Sequence, residues 1–300
     1  MIDVRRLRLL LELTRRGTVT AVADALAYTP SAVSQQLAVL EREAGMPLLE
    51  RTGRRVALTP AGTVLARYAE SVLAVLEEAT AALAATRTSL TGPLRIGAFP
   101  TAARTILPPA LVTLGRDHPA LELMVTELDP VAVPDALRTA AIDVALTHVY
   151  DYVPAQPDPA VDSEPLLEET VYLATADPAL IAIGDCRDAP WIAGSPDTLC
   201  HTMVIRACQA CGFTPRIRHH ADDFATVLAL VAAGQGVSLI PRLGVTETPG
   251  VSLTPVPARR RTSIACRKGT SRHPAVSAFA AAIRDQGRLL GAVDGVAAAG

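Results

Sequence analysis

The chain has 300 residues, half of them hydrophobic and 19% charged, with a formal net charge of −2. That length is enough for about two domains of roughly 150 residues each. The composition excludes a disordered chain, and the net charge excludes a uniformly basic nucleic-acid coat. The basic side chains are 27 arginines and a single lysine, Lys268, a bias read as coding composition rather than chemistry. Met1-Ile2-Asp3-Val4-Arg5-Arg6 has no apolar run with a cleavage site behind it, so no secretion signal is expected. The apolar stretch from Phe224 to Pro241 is broken by Gly234-Gln235-Gly236. It reads as a buried helix, a turn and a buried strand rather than a membrane span. Five cysteines, an odd number, form no disulfide framework. The expectation is a cytoplasmic protein that does not meet a membrane.

The total charge hides an asymmetry. Residues 1–67 contain ten arginines and six acidic residues, net +4, whereas residues 68–300 are net −6. A basic small unit joined to an acidic larger one implies that only the first meets a polyanion; chance clustering gives the same numbers.

Val4, Leu7, Leu10 and Leu11 follow helical spacing. Thr18 can cap a second helix, roughly residues 18–26, that buries Val22, Ala25 and Leu26. After the turn Ala27-Tyr28-Thr29, Thr29 is a good N-cap and Pro30 a good first residue for a third helix. That helix runs to about Glu43, with Val33, Leu37 and Leu40 inside. Its outer face carries Ser31, Ser34, Gln35 and Gln36, which are short or neutral and polar. Such groups can approach phosphates and base edges without repelling either. Two short helices, a tight turn and this face read as helix-turn-helix, with a generic three-helix unit as the alternative. Next, Gly53 supplies a turn between two extended segments, crowded by Arg51, Arg54 and Arg55. A wing of this kind would reach the phosphate backbone or minor groove; a solvated basic hairpin is the plainer reading.

Residues 1–62 resemble the winged helix-turn-helix of LysR-type transcriptional regulators. The resemblance rests on Ala23-Asp24-Ala25-Leu26, Ser31-Ala32-Val33-Ser34-Gln35-Gln36-Leu37, Leu40-Glu41, Gly45-Met46-Pro47-Leu48-Leu49-Glu50-Arg51 and Leu58-Thr59-Pro60-Ala61-Gly62. Pro30-Ser31 stands where the family often has Gln-Pro, and Gln35 where it often has Arg, so base preferences are not carried over. The resemblance implies double-stranded DNA as partner, at an operator with two-fold character, read through Thr29, Pro30, Ser31, Ser34, Gln35, Gln36, Arg51, Arg54 and Arg55.

Between Ala61 and about Thr86, Leu65, Ala69, Val72, Leu76, Ala79 and Leu83 recur with 4-3 spacing, a coiled-coil seam of about three heptads. Its partner is a second copy or the same chain. The resemblance implies a homodimer through this linker helix and assembly into a homotetramer. Thr88-Ser89-Leu90-Thr91-Gly92-Pro93 reads as a hinge.

Beyond it, strands are expected at Leu94–Phe99, Leu121–Glu127 and Ile142–Thr147, with helices through Leu107, Leu111 and Leu114 and through Val133, Leu137 and Ala140. A second set follows: strands at Val171–Ala174, Pro190–Ala193 and Val237–Ile240, helices at Met203–Cys211 and Phe224–Ala233 flanking Arg216–His219, a crossing back to the first half at Ser263–Arg267, and a last helix from Ala275 to about Arg284. Repeated strand–helix units imply a parallel sheet covered by helices, in two halves with a ligand cleft between them. Leu94-Arg95-Ile96-Gly97 and Ala229 through Pro241 resemble the effector-binding domain of the same regulators, which is similar to a periplasmic binding protein.

The fold class is therefore an α+β winged helix-turn-helix, a long linker helix and an α/β two-subdomain effector domain. The expected boundaries are 1–62, 63–91 and 92–290, with subdomain I at about 92–168 and 267–290, subdomain II at about 169–266, and a frayed tail at 291–300. The resemblance implies a small-molecule effector near Thr101 and Ala102. Asp129, His148, Ser195 and Asp222 join them as candidates at strand ends and helix starts, although each alone could be a cap or loop residue. Cys200-His201 and Cys208-x-x-Cys211 invite a zinc reading, but Cys208 and Cys211 lie three apart on one helix and read as packed thiols. No metal and no cofactor are expected. No catalytic motif appears: there is no Gly-x-Ser-x-Gly, no phosphate-binding Gly-x-x-x-x-Gly-Lys-Ser/Thr and no His-Glu-x-x-His. The alternative is a solute-binding or enzymatic α/β protein whose N-terminal helices serve only assembly.

Overall fold

Asp3 opens the first helix, α1 (Val4–Arg16), by accepting the Arg5 backbone N–H at 2.7 Å, and Gly17 at φ 71° ends it. The computed structural model describes residues 1–52, 55–86, 89–154 and 157–297. It divides into two units: Met1–Thr88 with Arg267–Pro274, and Ser89–Cys266 with Ala275–Gly300.

In the first unit α1 contacts α2 (Val19–Leu26), α3 (Pro30–Ala44) and α4 (Pro60–Ala85). Having three neighbours explains why it buries Leu9 and Leu13 as well as the expected Leu7, Leu10 and Leu11. Val4, expected on the inner stripe, is exposed in the first turn. Thr18 caps α2 by accepting the Ala21 N–H at 3.2 Å. Val22 and Ala23 are its buried residues, while Ala25 and Leu26, expected inside, are half-buried. The chain turns through Ala27, at φ 55°, into α3, which buries Val33, Leu37 and Leu40.

The Glu41 carboxylate then accepts the Leu48 and Leu49 N–H groups at 2.9 and 3.1 Å. This fixes the start of β1 (Leu49–Thr52), which pairs antiparallel with β2 (Arg55–Leu58), Leu49 opposite Leu58. The expected turn at Gly53 and Arg54 lies outside the described residues, as do the side chains of Arg51 and Arg55. Thr59 caps α4, and the backbone passes so close to the Leu48 carbonyl at Gly62 that a Cβ there would collide with it.

The expected seam on α4 divides. Leu65 and Ala69 pack on the N-terminal core, whereas Val72, Leu76, Ala79 and Leu83 are exposed. Val64, Tyr68 and Val75 are exposed apolar residues on the same side, since four- and three-residue steps return to one helix face. The heptad was therefore one stripe out of phase at its start, because α1 claims that part of the helix.

The second unit runs β3 (Gly92–Ala98), α5 (Pro100–Thr105), α6 (Leu107–Asp117), β4 (Leu121–Glu127), α7 (Val133–Arg138), β5 (Val144–Tyr150) and β6 (Val161–Thr175). It continues with β7 (Pro190–Ala193), α8 (Leu199–Ala210), β8 (Arg216–His220), α9 (Phe224–Ala232), β9 (Ser238–Pro241), β10 (Ser252–Arg267) and α10 (Pro274–Ala297). Strands β4-β3-β5-β10-β6-β9 make one sheet and β7-β8 a second, linked to it through Trp191 opposite Val237.

β3 is parallel to β4 and β5, as expected of strand–helix units, but β5–β10 and β6–β9 are antiparallel. The sheet is mixed because β6 and β10, 15 and 16 residues long, carry the chain across and back. α7 stops at Arg138, leaving Ala140 exposed at φ 59° rather than on the helix. α10 continues past Gly291 to Ala297, where a frayed tail was expected.

One core gathers Leu94, Ile96, Phe99, Leu114, Val144 and Phe279, and another gathers Val171, Leu173, Trp191, Met203 and Cys208. Each such side chain contributes about 1.5–3 kcal/mol by leaving water. No described helix is long and apolar enough to cross a membrane.

Candidate nucleic-acid interface and ligand cavity

The first candidate site is the outer face of α3. The Thr29 hydroxyl accepts the Ala32 N–H at 3.2 Å and lies 3.1 Å from the Ser31 hydroxyl, so the helix start is fixed by its own side chains. Pro30 is the first helical residue. Ser31, Ser34 and Gln35 are exposed, opposite the buried Val33 and Leu37. Gln36 differs from them. It is half-buried, and its side-chain oxygen accepts from Arg6 Nε at 2.9 Å, while Arg6 also meets Glu43 at 2.6 Å. That pairing holds α3 against α1 and turns Gln36 away from the other three. An N-cap combined with neutral donors and acceptors suits a helix end that must approach an anion.

The second site is a cavity of about 230 Å³ in the C-terminal unit. Strand ends and helix starts surround it: Phe99, Pro100 and Thr101 after β3, Glu127, Leu128 and Asp129 after β4, His148 on β5, Thr198 and Cys200 at α8, Asp222 and Phe224 at α9, and Arg260 on β10. It thus brings together Thr101, Asp129, His148 and Asp222 from the sequence-derived candidates. Ser195 does not line it; its N–H and hydroxyl donate to the two Asp222 carboxylate oxygens at 2.7 and 2.6 Å. Ala102 is fully buried in the core beneath α5 and does not line the cavity, because its position on the helix turns it inward from Thr101.

Arg260 was missed by sequence reasoning. Its side chain is 1% exposed, as is that of Glu169, which it meets at 2.6 Å. It also donates to the Thr101 hydroxyl at 3.0 Å and lies 4.8 Å from the Phe99 ring centre. Burial opposes its charge, but Glu169 outweighs that and holds the guanidinium above its ordinary value. The only available signal was Arg259-Arg260-Arg261 within an alternating strand, where Arg260 takes an inward position.

His148 stands edge-on to Phe99 and Tyr150, with ring centres 4.5 and 5.0 Å away, and neither ring nitrogen has a hydrogen-bond partner among the described residues. Burial, and then the Arg260 charge, holds its imidazole well below the usual value, so it is neutral. Burial raises Asp129; the Val131 N–H works against this and the Asp222 charge adds to it. Burial also raises the Cys200 thiol, which lies 3.5 Å from the Tyr150 hydroxyl. Cys208 is buried and its thiol is pushed up to about 12, while Cys211, expected to be packed, is exposed just past the end of α8. No group of three or more His, Cys, Asp or Glu among the described residues could hold a metal ion.

A capped helix-turn-helix with a wing, joined in one chain to an α/β unit with a cavity at its strand ends, defines a ligand-responsive DNA-binding regulator. Residues 4–63 match the family model "Bacterial regulatory helix-turn-helix protein, lysR family", and residues 87–288 match "LysR substrate binding domain". The chain belongs to the LysR family of bacterial transcriptional regulators and is a DNA-binding regulator, not an enzyme. It is 32% identical over 285 residues to a probable hydrogen peroxide-inducible genes activator of Streptomyces viridosporus, covering 89% of each chain. Among solved structures it is similar to a cysteine mutant of OxyR from Corynebacterium glutamicum (TM-score 0.57, 27% identity, 98% of this chain and 96% of that one). It is also similar to full-length BenM (TM-score 0.56, 25% identity, 98% of each chain).

Proposed function

We propose that this regulator reads a two-fold DNA site as a homodimer and that a small molecule in the cavity controls it. Each α3 enters a major groove with Ser31, Ser34 and Gln35 toward the bases. Thr29 and Pro30 set the helix start, Gln36 holds it to α1, and Arg51, Arg54 and Arg55 reach phosphates from the wing. The observation that carries this reading is the exposure of Ser34 and Gln35 on a capped helix whose opposite face is fully committed to the core. The exposed stripe of Tyr68, Val72, Val75, Leu76 and Leu83 supports pairing of two copies through α4 and further assembly into a tetramer. Access to DNA makes the cytoplasm its compartment. In the cavity, Thr101, Asp129, His148 and Asp222 face the effector, and Ser195 positions Asp222.

The Streptomyces relative is a probable hydrogen peroxide-inducible genes activator, which raises a thiol-oxidation reading for Cys200. Its elevated thiol value argues for reversible occupancy instead, because the thiolate is the reactive form. The test is fluorescence anisotropy on DNA flanking the chain's own gene. Gln35→Ala is expected to reduce discrimination against altered sites by about 1–3 kcal/mol. Arg54→Ala is expected to weaken binding to all sequences and to flatten the salt slope by about one unit. Unchanged discrimination in the first variant would remove α3 as the reading helix.

A further inference from the structure

Charge in the cavity is one-sided. Three carboxylates line it, Glu127, Asp129 and Asp222, against a single lining cation, Arg260, whose charge is already met by Glu169 at 2.6 Å. At the adjoining mouth, Arg104 is engaged with Asp223 at 3.6 Å. Glu127 ends β4 opposite Ala98 of β3, and its carboxylate has no hydrogen-bond or ionic partner among the described residues. Asp129 is half-buried beside the exposed Asp222, whose charge adds to the rise that burial gives Asp129, and an incoming cation relieves that repulsion.

A second observation is independent of the charges. His148 is 3% exposed, lines the same cavity and leaves both ring nitrogens unpaired. An unpaired buried polar atom is unfavourable unless something arrives to bond it. The neutral ring offers one bare nitrogen, an acceptor that an N–H donor satisfies. Phe99, Leu128 and Phe224 give the cavity an apolar wall, beside Thr101, Thr198 and Cys200.

We infer that the effector is a small organic ammonium compound with an apolar body, its charged nitrogen among Glu127, Asp129 and Asp222 and one N–H donated to His148. This rests on the proposed role of the cavity and assigns its ligand class. The apolar body lies along Phe99, Leu128 and Phe224, and the charged end displaces water from the carboxylates. Arg260 is not a competing anion site, since its guanidinium is taken up by Glu169 and the Thr101 hydroxyl.

The test is calorimetric titration of the full chain near neutral pH with three matched probes: 2-phenylethylamine, 2-phenylethanol and phenylacetate. The amine is expected to bind about 10- to 100-fold tighter than the alcohol, the range of a charge-assisted hydrogen bond, and phenylacetate weakest of the three. Glu127→Gln and Asp129→Asn should each weaken the amine and spare the alcohol, and His148→Phe should weaken both. Glu164→Gln, outside the cavity and matched in charge change, should alter nothing. Equal or tighter binding of phenylacetate or the alcohol overturns the ammonium assignment. If His148→Phe abolishes that binding, the cavity remains the effector site and only its charge preference falls. No binding by any probe, in heat or in thermal midpoint, removes the assignment and the cavity's proposed role together.

Discussion

Among the described residues each unit buries one carboxylate, in a different way. Glu12, on α1, has a 4% exposed side chain and meets Arg16 at 2.8 Å and Arg15 at 3.4 Å, four and three residues along the same helix. Those arginines remain 20% exposed, so their far ends reach water. Glu169 meets Arg260 across 91 residues of sequence, and both side chains are 1% exposed. It also accepts the buried Leu243 N–H at 2.7 Å. Glu12 thus meets arginines of its own helix that lean on solvent, and Arg15 also reaches Glu70 of α4 at 3.3 Å; the Glu169–Arg260 pair has no recourse to water, so its two members stand or fall together.

The largest expected effect follows from that contrast. Glu169→Ala strands a buried guanidinium and should destabilise the C-terminal unit by about 3–5 kcal/mol. Trp191, the single tryptophan and fully buried in that unit, reports this directly in urea unfolding followed by fluorescence. Replacing both partners, Arg260→Met with Glu169→Leu, should recover much of the loss, since no unpaired charge remains. Glu12→Ala should cost about 1 kcal/mol in the N-terminal unit. A shift below about 1 kcal/mol for Glu169→Ala would show that water reaches Arg260 and would erase the distinction.

The same contrast explains what the sequence made legible. The caps Thr18 and Thr29 and the stripe Val33, Leu37 and Leu40 all act within a few residues, so spacing alone locates them. The outer face of α3 follows by subtraction. The bond from Arg6 that half-buries Gln36 was not legible, because Arg6 lies thirty residues earlier. In the C-terminal unit the order of strands and helices was readable, and so was the set of strand ends that could face a ligand. The antiparallel pairing of β10 was not, because register between distant strands leaves no local trace. Arg260 could not be recognised as cavity-lining for the same reason. Strand alternation turns it inward between Arg259 and Arg261, which are exposed and paired with Glu168, but the cavity it meets follows only from pairing with distant strands.

A smaller and more selective effect concerns His148. Its folded value lies below that of the unfolded chain, so the unfolded state takes up a proton first as pH falls. The stability it supports is complete above the unfolded value of about 6.5 and declines below it, by at most about 1.4 kcal/mol per pH unit for one proton. Asp129 acts in the opposite sense. Its folded value is raised, so on acidification it is protonated more readily in the folded state. In His148→Phe, Trp191-detected stability should therefore fall less steeply between about pH 6.5 and 5 than in the wild type. Equal slopes would mean that the ring is protonated in place.

The smallest expected effect tests whether the N-terminal face depends as little on distant partners as the comparison implies. Thr29→Ala removes the bond to the Ala32 N–H and should cost about 1 kcal/mol. Thr198→Ala removes the equivalent bond at α8, where the hydroxyl accepts the His201 N–H at 3.2 Å and itself donates to the Ser195 carbonyl at 2.8 Å. Hydrogen exchange at Ala32 and His201 reads the two caps separately. At Thr29 the faster exchange should stay within the first turn of α3, and Thr29→Ser should restore it, because serine keeps the accepting oxygen. At Thr198 the loss should spread to Ser195 and through it to Asp222, whose carboxylate Ser195 holds. If the Thr29 change spread as far, through α1 or the wing, the outer face of α3 would be a network of distant contacts after all, and the distinction between the two units would have to be drawn elsewhere.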